Sequence, residues 1–328
     1  MKTSIILCTY QGERFLEQQL QSLQDQTLIP DELIIQDDGS TDRTVEIIEE
    51  FTKKSTLHIK FYKNKTQLGA CRNFLSAMHK STGDILFFCD QDDVWVPQKI
   101  DEMVAAFERN PEKLMVICNA ELIDDAGNTI QENYFQFTNM GRKLPLVERN
   151  LESYFLKYPA IVNGCFMGFR KELRTQSKEF KKENPNFEFQ FLHDQYITYL
   201  TLATQPKHSV LALPNKLVLH RLHENQAVGV HEASSKKTSL SKVKIGKEQR
   251  FQFRINWLQR IHTFLSKLNT NQAYLQELET AQEFYTFRLQ QMNESTMKRL
   301  PKTLQKFGLK AYHAYTENAL KEVTRDLI

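Results

Sequence analysis

Cysteine, glycine and proline are all scarce in this chain of 328 residues, which contains five Cys, 11 Gly and nine Pro. With 41% hydrophobic and 25% charged residues, the composition excludes a disulfide scaffold, a collagen-like repeat and a disordered chain. No C-x-x-C pair occurs, so we expect neither a zinc site nor a disulfide, and free thiols are typical of the reducing cytosol. The length fits one large domain, or one domain with a substantial appendage.

Long apolar runs are also missing. None approaches the ~20 residues that span a bilayer, and the short apolar stretch at the N-terminus runs into polar Gln11, Gly12 and Glu13. We therefore expect neither a signal peptide nor a membrane span. The expected protein is cytoplasmic, and either soluble or peripheral at a membrane.

Three glycine-containing signatures of enzymes are absent, namely G-x-x-x-x-G-K-[ST], G-x-G-x-x-G and G-x-S-x-G. The first two bind phosphate groups through a glycine-rich backbone loop. Without them, the binding of phosphate would depend on a metal ion and on basic side chains.

The net charge of +3 is unevenly distributed along the chain. Residues 1–235 contain 26 basic and 32 acidic side chains, whereas residues 236–328 contain 17 basic and eight acidic ones. This acidic body with a basic tail is informative, because charge asymmetry often reflects a binding partner.

Strand-like and helix-like segments alternate over the first 125 residues. Runs rich in strand-forming residues occur at Ser4–Cys8, Leu33–Gln36, His58–Tyr62, Ile85–Cys89 and Leu114–Cys118. Segments with helical spacing lie between them, so the sequence predicts an α/β fold with a parallel, doubly wound sheet. Such sheets bind ligands beyond the carboxyl ends of their strands, which makes the polar residues there candidates for a site.

The pattern changes after residue 125. Strand-like stretches at Val162–Arg170, Ser209–Leu213 and Leu217–His223 are interrupted by a helical segment at His193–Ala203. After Leu240 only helical spacing follows, so we expect the C-terminal part of the chain to be helical.

The turn Asp37-Asp38-Gly39-Ser40-Thr41-Asp42 follows the second predicted strand. Gly39 permits a tight turn, and Ser40 or Thr41 can cap the helix that follows. A capped turn leaves two adjacent carboxylates at a strand end unexplained, so we favour a functional role for them.

Three carboxylates occur within the four residues Asp90-Gln91-Asp92-Asp93, directly after a wholly apolar predicted strand. A divalent cation would relieve their mutual repulsion, and carboxylate oxygens suit Mg²⁺ or Mn²⁺ bound together with substrate phosphates. The alternative is a solvated acidic loop before a helix that begins near Pro97. The apolar strand in front of the loop favours the metal site.

Two later segments contain further candidates. Asp194 opens a helical segment, where it would serve as an N-cap or as a catalytic base. At the end of the last predicted strand, alternation places Arg221 and His223 on one face. Taken singly, each of these residues is more often structural, but Arg221 beside His223 would suit an anion or a metal-bound phosphate.

Five motifs in this order resemble those of the family 2 glycosyltransferases, inverting enzymes of the GT-A fold that use nucleotide-sugars. They are Ser-Ile-Ile-Leu-Cys-Thr-Tyr-Gln-Gly, Gln-Asp-Asp-Gly-Ser-Thr-Asp, Cys-Asp-Gln-Asp-Asp-Val-Trp-Val-Pro-Gln-Lys, His-Asp-Gln-Tyr and His-Arg-Leu-His-Glu-Asn-Gln-Ala-Val-Gly, within roughly residues 1–230. The Asp-Gln-Asp-Asp-Val-Trp and Arg-x-His forms look most like bacterial rhamnosyltransferases of cell-surface polysaccharide synthesis. One departure is that His220 and Leu222 stand where that subfamily often has Tyr and Gln.

The resemblance implies a Rossmann-like, mixed but mostly parallel sheet flanked by helices. It implies a glycosyltransferase domain over residues 1–235, in which residues 1–125 form the nucleotide-binding half and residues 126–235 the acceptor-side half. Residues 236–328 would form a basic α-helical extension.

The resemblance also implies which residues bind the donor. Thr9, Tyr10 and Asp38 would hold the nucleotide, with Asp38 against the pyrimidine base, and Asp90 would lie near the ribose.

Four further roles follow from the resemblance for the metal and the chemistry. Asp92 would bind a Mg²⁺ or Mn²⁺ ion that bridges the diphosphate, and His223, with Arg221 nearby, would contact the metal–diphosphate group. Asp194 matches the general base that deprotonates the acceptor hydroxyl.

The implied reaction is the transfer of a sugar, with dTDP-rhamnose as the favoured donor, to a growing bacterial surface polysaccharide or a lipid-linked glycan. A UDP-hexose is the alternative donor. A sugar-phosphate nucleotidyltransferase would be expected to have a glycine-rich, basic loop near the N-terminus, where this chain has Thr9-Tyr10-Gln11-Gly12-Glu13. A non-catalytic glycan- or membrane-binding protein would not need the acidic residues that this chain retains.

The basic tail has two explanations. Between Lys236 and Lys267 there are nine Lys or Arg residues and one acidic residue, Glu248, interleaved with Phe251, Phe253, Ile255, Trp257 and Leu258. This composition suits an interfacial helix on an anionic membrane, where a lipid-linked acceptor would lie. Alternatively, the apolar side chains pack on the rest of the protein or on a second subunit. We expect no nucleic-acid partner, because no recognised binding module accompanies the charge.

Overall fold

The computed structural model describes residues 1–137, 163–185, 187, 191–205, 209–224, 247–268, 272–293 and 302–308. The chain divides into two compact units. The first comprises Met1–Arg149, Ala160–Thr201 and Lys207–Val230, and the second comprises Asn150–Pro159, Leu202–Pro206 and His231–Ile328. The domain boundary expected at residue 235 lies outside the described residues, as does the part of the last motif that follows Glu224.

A mixed sheet of nine described strands lies in the first unit. The strands are β1 (Thr3–Thr9), β2 (Glu32–Asp37), β3 (Ile59–Lys63), β4 (Ile85–Cys89), β5 (Val94–Trp95), β6 (Met115–Ile123), β7 (Thr129–Gln131), β8 (Met167–Arg170) and β9 (Val210–Arg221). Their order in the sheet is β3-β2-β1-β4-β8-β6-β9-β5, with β7 paired to β6.

Helices separate most of the strands, as the sequence predicted. The described α-helices are α1 (Leu16–Gln24), α2 (Thr44–Lys54), α3 (Ala70–Lys80), α4 (Lys99–Arg109), α5 (Tyr134–Phe137), α6 (Lys171–Glu183), α7 (His193–Thr204), α8 (Lys247–Ser266) and α9 (Gln272–Gln290), and residues 302–308 are also helical. The amphipathic helices bury one face each; in α1 that face contains Leu16, Leu20 and Leu23, at helical spacing.

Parallel pairing occurs where strands and helices alternate. β3, β2, β1 and β4 are parallel to one another, and so are β6 and β9, whereas β8, β5 and β7 pair antiparallel. The predicted α/β class with a mixed sheet is therefore confirmed. The two stretches predicted at Ser209–Leu213 and Leu217–His223 form the single strand β9. Its register against β6 shifts beside Cys118, near Pro214, because proline cannot donate to the ladder.

The register of the central strands determines where the motifs meet. β1 and β4 are buried along their whole length, as is typical of strands in a parallel sheet that is covered on both faces. Leu7 pairs with Cys89 and Thr9 pairs with Asp37, so β1, β2 and β4 end at the same edge of the sheet. The polar residues that follow these three strands are thereby brought together.

In the second unit, α8 and α9 pack against each other. The ring centroids of Phe251 and Tyr285 are 6.0 Å apart, and His262 Nε2 lies 3.0 Å from Glu279 Oε1. Packing within the protein covers four of the five apolar side chains considered for a membrane surface, namely Phe251, Ile255, Trp257 and Leu258. Phe253 is 58% exposed. Among the described residues, no helix has both the length and the apolar character that crossing a bilayer requires.

The buried carboxylate of Glu32, the first residue of β2, binds to β1, to β3 and to the segment before β4. It accepts hydrogen bonds from Ser4 Oγ at 2.6 Å, Lys60 Nζ at 2.7 Å and the Thr82 backbone N–H at 2.5 Å. Burial alone would raise the pKa of Glu32, but the hydrogen bonds from Lys60, Ser4 and Thr82 outweigh it and lower the pKa to about 2.

We expect Glu32→Gln to lower the free energy of unfolding at pH 7 by on the order of 3 kcal/mol, because the pKa falls from 4.5 to about 2 and each unit corresponds to roughly 1.4 kcal/mol. The folded-state pKa is depressed, so the contribution is complete above the unfolded pKa and is lost as the pH falls toward 2. Urea unfolding between pH 7 and pH 2.5 measures this difference. Glu49→Gln is the control, since Glu49 pairs with Lys63 at the surface. An equal loss in both variants, or a loss independent of pH, would contradict the assignment.

Candidate active site

Asp37 builds the turn that follows β2. Its Oδ1 accepts hydrogen bonds from Thr9 Oγ1 at 3.0 Å and Ser40 Oγ at 2.5 Å, and its Oδ2 accepts from the backbone N–H groups of Gly39 and Ser40. Gly39 has φ 88°, in the left-handed region that glycine adopts without strain. The hydroxyl of Thr9, a residue expected to hold the nucleotide, is buried and donates to Asp37.

Asp38 also turns into the protein and is 3% exposed. Its Oδ1 accepts hydrogen bonds from Asn64 Nδ2 and the Leu68 N–H at 2.7 Å each, and its Oδ2 accepts from the Gly69 N–H at 2.8 Å. Asp38 thus attaches the segment before α3 to the carboxyl end of β2. Both of its carboxylate oxygens are therefore used within the protein.

Tyr10 is the exposed aromatic residue of the loop after β1, at 44% exposure. The next residue, Gln11, has φ 50°, and its N–H donates to Ser40 Oγ at 2.9 Å. Its Oε1 accepts the backbone N–H of Thr41 at 3.0 Å. The loop is therefore held to the turn after β2, while the Tyr10 side chain stays accessible to a ligand.

The carboxylates after β4 differ in their surroundings. Asp93 is fully buried, whereas Asp90 and Asp92 are partly exposed. Burial raises the pKa of Asp90 well above its ordinary value, and the neighbouring Asp93 and Asp92 raise it further. Burial acts on Asp93 in the same direction, but the charge and hydrogen bond of His220 outweigh it and lower its pKa. The repulsion inferred from the sequence is therefore present, and His220 offsets part of it.

Asp92 and His223, the two expected metal ligands, lie side by side. His223 Nε2 is 2.9 Å from Asp92 Oδ2, and the side chains are 7% and 18% exposed, respectively. Two adjacent ligand atoms that are each about 2.1 Å from an octahedral ion are roughly 3.0 Å apart, so the spacing fits Mg²⁺ or Mn²⁺. The carboxylate of Asp92 together with phosphate oxygens suits either ion, and the imidazole of His223 is a more usual ligand for Mn²⁺ than for the harder Mg²⁺.

Arg221, which the resemblance places near the diphosphate, is buried against the acidic loop. It is 1% exposed, and its Nη1 donates to the carbonyl oxygens of Asp124 and Asp125, while its Nη2 donates to Gln18 Oε1 at 2.6 Å. Its Nε donates to the Asp92 carbonyl oxygen at 3.0 Å. The guanidinium is therefore used to hold the acidic loop. Strand β9 ends at Arg221, so alternation no longer applies to the residues that follow.

A buried cluster of Asp93, Cys165 and His220 lies behind the acidic loop, with one ligand atom of each within 4.8 Å of the others. His220 Nδ1 is 2.8 Å from Asp93 Oδ1 and 3.9 Å from Cys165 Sγ. The buried Lys99 ammonium donates to the Cys165 carbonyl oxygen, and burial lowers the pKa of Lys99. Because hydrogen bonds and nearby positive charge already stabilise this cluster, Asp92 and His223 are the stronger metal candidates.

Asp194 lies in the first turn of α7, where its Oδ1 accepts the Gln195 N–H at 2.6 Å. Burial raises the pKa of Asp194 to about 7, although backbone hydrogen bonds from Gln195 and Gly164 lower it. Asp194 also raises the pKa of Asp90, so the two carboxyl groups are within electrostatic range. A carboxyl group that titrates near neutral pH at this edge of the sheet can act as a general base.

The structure separates the predicted site residues into two groups. Asp90, Asp92, Asp194 and His223 lie around one edge of the sheet, and Tyr10 is exposed in a loop at the same edge. Thr9, Asp38 and Arg221 point into the protein, where they hold the loops in place. Sequence reasoning missed the structural roles of three residues, namely Asp37, Gln91 and Asp93. All three lie inside the motifs, but the local sequence does not indicate whether their side chains point into the protein or toward the solvent.

The sequence model of Glycosyl transferase family 2 matches residues 4–175. Among curated relatives, the dTDP-rhamnosyl transferase RfbG of Shigella flexneri is 29% identical over 232 residues, which are 69% of this chain and 74% of that protein. In two other curated relatives, glycosyltransferases of Nostoc and Haemophilus influenzae, the matched part is 45% and 70% of the relative's length.

Solved structures share the fold. TarS residues 1–349 of S. aureus in complex with UDP-GlcNAc has a TM-score of 0.58 and 17% identity, with 100% of this chain and 89% of that chain covered. The mannosyltransferase PcManGT of Pyrobaculum calidifontis in complex with GDP-Man and Mn²⁺ has a TM-score of 0.53 and 16% identity, with 99% and 84% covered. With a family match over more than half of its length and a GT-A fold, the chain belongs to glycosyl transferase family 2 and is a glycosyltransferase.

Proposed function

We propose that the protein transfers a sugar from a nucleotide-sugar with the help of a divalent metal ion and with inversion at the anomeric carbon. The observation that carries this proposal is a carboxyl group with a pKa of about 7, Asp194, within electrostatic range of the loop that contains Asp92. Asp194 suits the removal of a proton from the acceptor hydroxyl, and Asp92 suits the binding of a metal ion together with the diphosphate. A single displacement needs one base, so the product would have inverted stereochemistry.

Asp194 is the proposed general base. A base is most effective when its pKa lies near the working pH, and burial brings the pKa of Asp194 to about 7. The Asp194 carboxylate would accept the proton of the acceptor hydroxyl while the oxygen of that hydroxyl forms a bond to the anomeric carbon of the donor. The bond between that carbon and the diphosphate oxygen breaks on the opposite face.

Asp92 and His223 are the proposed metal ligands, supported by their 2.9 Å spacing. When bound, Mg²⁺ or Mn²⁺ supplies positive charge that offsets the charge growing on the departing nucleoside diphosphate. Arg221 holds the Asp92 backbone from behind and thereby positions its carboxylate.

The proposed donor is dTDP-rhamnose, with Tyr10 and Asp38 at the nucleotide and Asp90 near the ribose. The support is the 29% identity to a protein described as a dTDP-rhamnosyl transferase, over 69% of this chain. The exposed ring of Tyr10 can stack on a pyrimidine base, and Asp38 holds the neighbouring turn.

The proposed acceptor is a growing surface polysaccharide or a lipid-linked glycan at the cytoplasmic face of the membrane. The basic composition of residues 236–328 supports contact with an anionic surface. Because most of the apolar side chains of α8 are buried, such contact would depend on lysine and arginine charge.

We expect Asp92→Ala and His223→Ala each to abolish the metal-dependent part of nucleoside diphosphate binding. Calorimetric titration of the wild-type protein with dTDP and with UDP should show tighter binding in Mn²⁺ than in EDTA, and the variants should bind equally weakly in both. Asp101→Ala is the matched control, an exposed acidic residue in the first turn of α4. Metal-dependent binding that persists in either variant would remove that residue as a ligand.

We expect Asp194→Asn to reduce kcat by about 10²–10⁴-fold while leaving donor binding intact, because an amide cannot accept the proton. In the wild-type protein, kcat should fall about tenfold per unit as the pH drops below 7, because protonated Asp194 is inactive. Turnover of a dTDP- or UDP-sugar against pH measures both effects. Glu172→Gln, an exposed acidic residue in the first turn of α6, is the control. Near-normal turnover by Asp194→Asn would show that another group is the base.

Among dTDP- and UDP-sugars at equal concentration, dTDP-rhamnose should give the largest increase in melting temperature with Mn²⁺, because a bound ligand stabilises the folded state by an amount that grows with the logarithm of its concentration divided by its Kd. A thermal-shift screen of both nucleotide series, with and without Mn²⁺, measures this. A larger shift with a UDP-hexose would refute the rhamnose assignment and leave the proposed reaction class standing.

A further inference from the structure

The side-chain amide of Gln91 pairs with the backbone of Tyr10. The Tyr10 N–H donates to Gln91 Oε1 at 2.9 Å, and Gln91 Nε2 donates to the Tyr10 carbonyl oxygen at 2.9 Å. Two opposed hydrogen bonds fix both the position and the orientation of the peptide, as a strand partner would. They extend the β1–β4 pairing, which the backbone carries as far as Leu7 and Cys89.

Gly12 provides the space for this pairing. A Cβ atom at residue 12 would lie 2.3 Å from Gln91 Oε1 and 2.7 Å from Gln91 Cδ, well inside contact distance. The Gly12 backbone is itself held, because its N–H donates to Thr44 Oγ1 at 2.8 Å. A side chain at residue 12 would therefore displace the Gln91 amide rather than the backbone.

The Tyr10 loop is thus attached on two sides. Gln11 binds it to the turn after β2, and Gln91 binds it to the acidic loop after β4. Gln91 stands between Asp90 and Asp92, so it connects the proposed nucleotide-binding loop directly to the proposed metal-binding loop. Both hydrogen bonds lie at the protein surface and join two loops, so their main effect is on the position of the Tyr10 loop.

We propose that Gln91 is a positioning residue for the donor, which holds the Tyr10 loop in register with Asp92, and that Gly12 is required for it to do so. The inference rests on the proposed function of the site. Without Gln91 the loop must be ordered when the nucleotide binds, so donor binding weakens. Asp92 and Asp194 remain in place, so turnover of the saturated enzyme is preserved.

The test compares Gln91→Met, Gly12→Ala and the double variant. Each single variant should raise the Kd for dTDP or UDP with Mn²⁺, and the KM for the donor, by roughly tenfold, which is about 1.4 kcal/mol for two lost hydrogen bonds. The kcat should stay within about twofold of wild type. The double variant should be no worse than either single variant, because both remove the same pairing. Gln21→Met, which removes an exposed glutamine bond to Asp25, is the matched control.

Amide hydrogen exchange of residues 9–12 without ligand tests the loop attachment independently of any nucleotide. Exchange should be faster in Gln91→Met and Gly12→Ala than in wild type and Gln21→Met. Unchanged exchange, or single-variant effects that multiply in the double variant, would overturn the proposal. A loss of kcat with unchanged KM would overturn it as well. Wild-type protein that binds no nucleoside diphosphate would count against the proposed function, whereas normal binding by Gln91→Met would count against Gln91 alone.

Discussion

The candidate site depends on how the protein satisfies one buried carboxylate, that of Asp93. An ionised carboxylate in the interior needs a charge partner and hydrogen bonds, because its desolvation is costly. His220 Nδ1 and the Arg221 N–H both bind Asp93 Oδ1, at 2.8 Å and 3.0 Å, and they hold the end of β9 against the acidic loop, while Asp93 Oδ2 is buried with no hydrogen-bond partner among the described residues. Arg221 in turn binds the Asp92 carbonyl oxygen. His223, two residues beyond, thereby reaches Asp92.

The same arrangement gives neighbouring carboxyl groups different proton affinities. Burial and the adjacent carboxylates raise the pKa of Asp90, whereas His220 lowers that of Asp93 despite its burial. For Asp194, burial has the largest effect and outweighs the backbone hydrogen bonds, so its pKa reaches about 7. Carboxyl groups whose pKa values are pushed apart can take separate roles, and here Asp93 is the structural anion while Asp194 is the proposed base.

The α/β class, the order of the main strands and helices, and the polar edge of the sheet could all be predicted from the sequence. Apolar runs such as Ile85–Cys89 indicate strands buried on both faces, and the motifs after them indicate where ligands bind. The proximity of Asp92 and His223 followed from their motifs, although 131 positions separate them. The pairing of Gln91 with Tyr10 could not be predicted, because it depends on the absence of a side chain at Gly12.

The sequence by itself determined which residue types stand at the carboxyl ends of the strands, because hydrophobic periodicity and turn chemistry are local. Only the tertiary structure decided which of those side chains face a ligand. Thr9, Asp38 and Arg221 turn inward because buried backbone groups and loops need their hydrogen bonds, and those partners come from distant parts of the chain, such as Asp124 and Asp125 for Arg221. The pKa of Asp194 likewise depends on burial, a property of the folded protein and not of its neighbours in sequence.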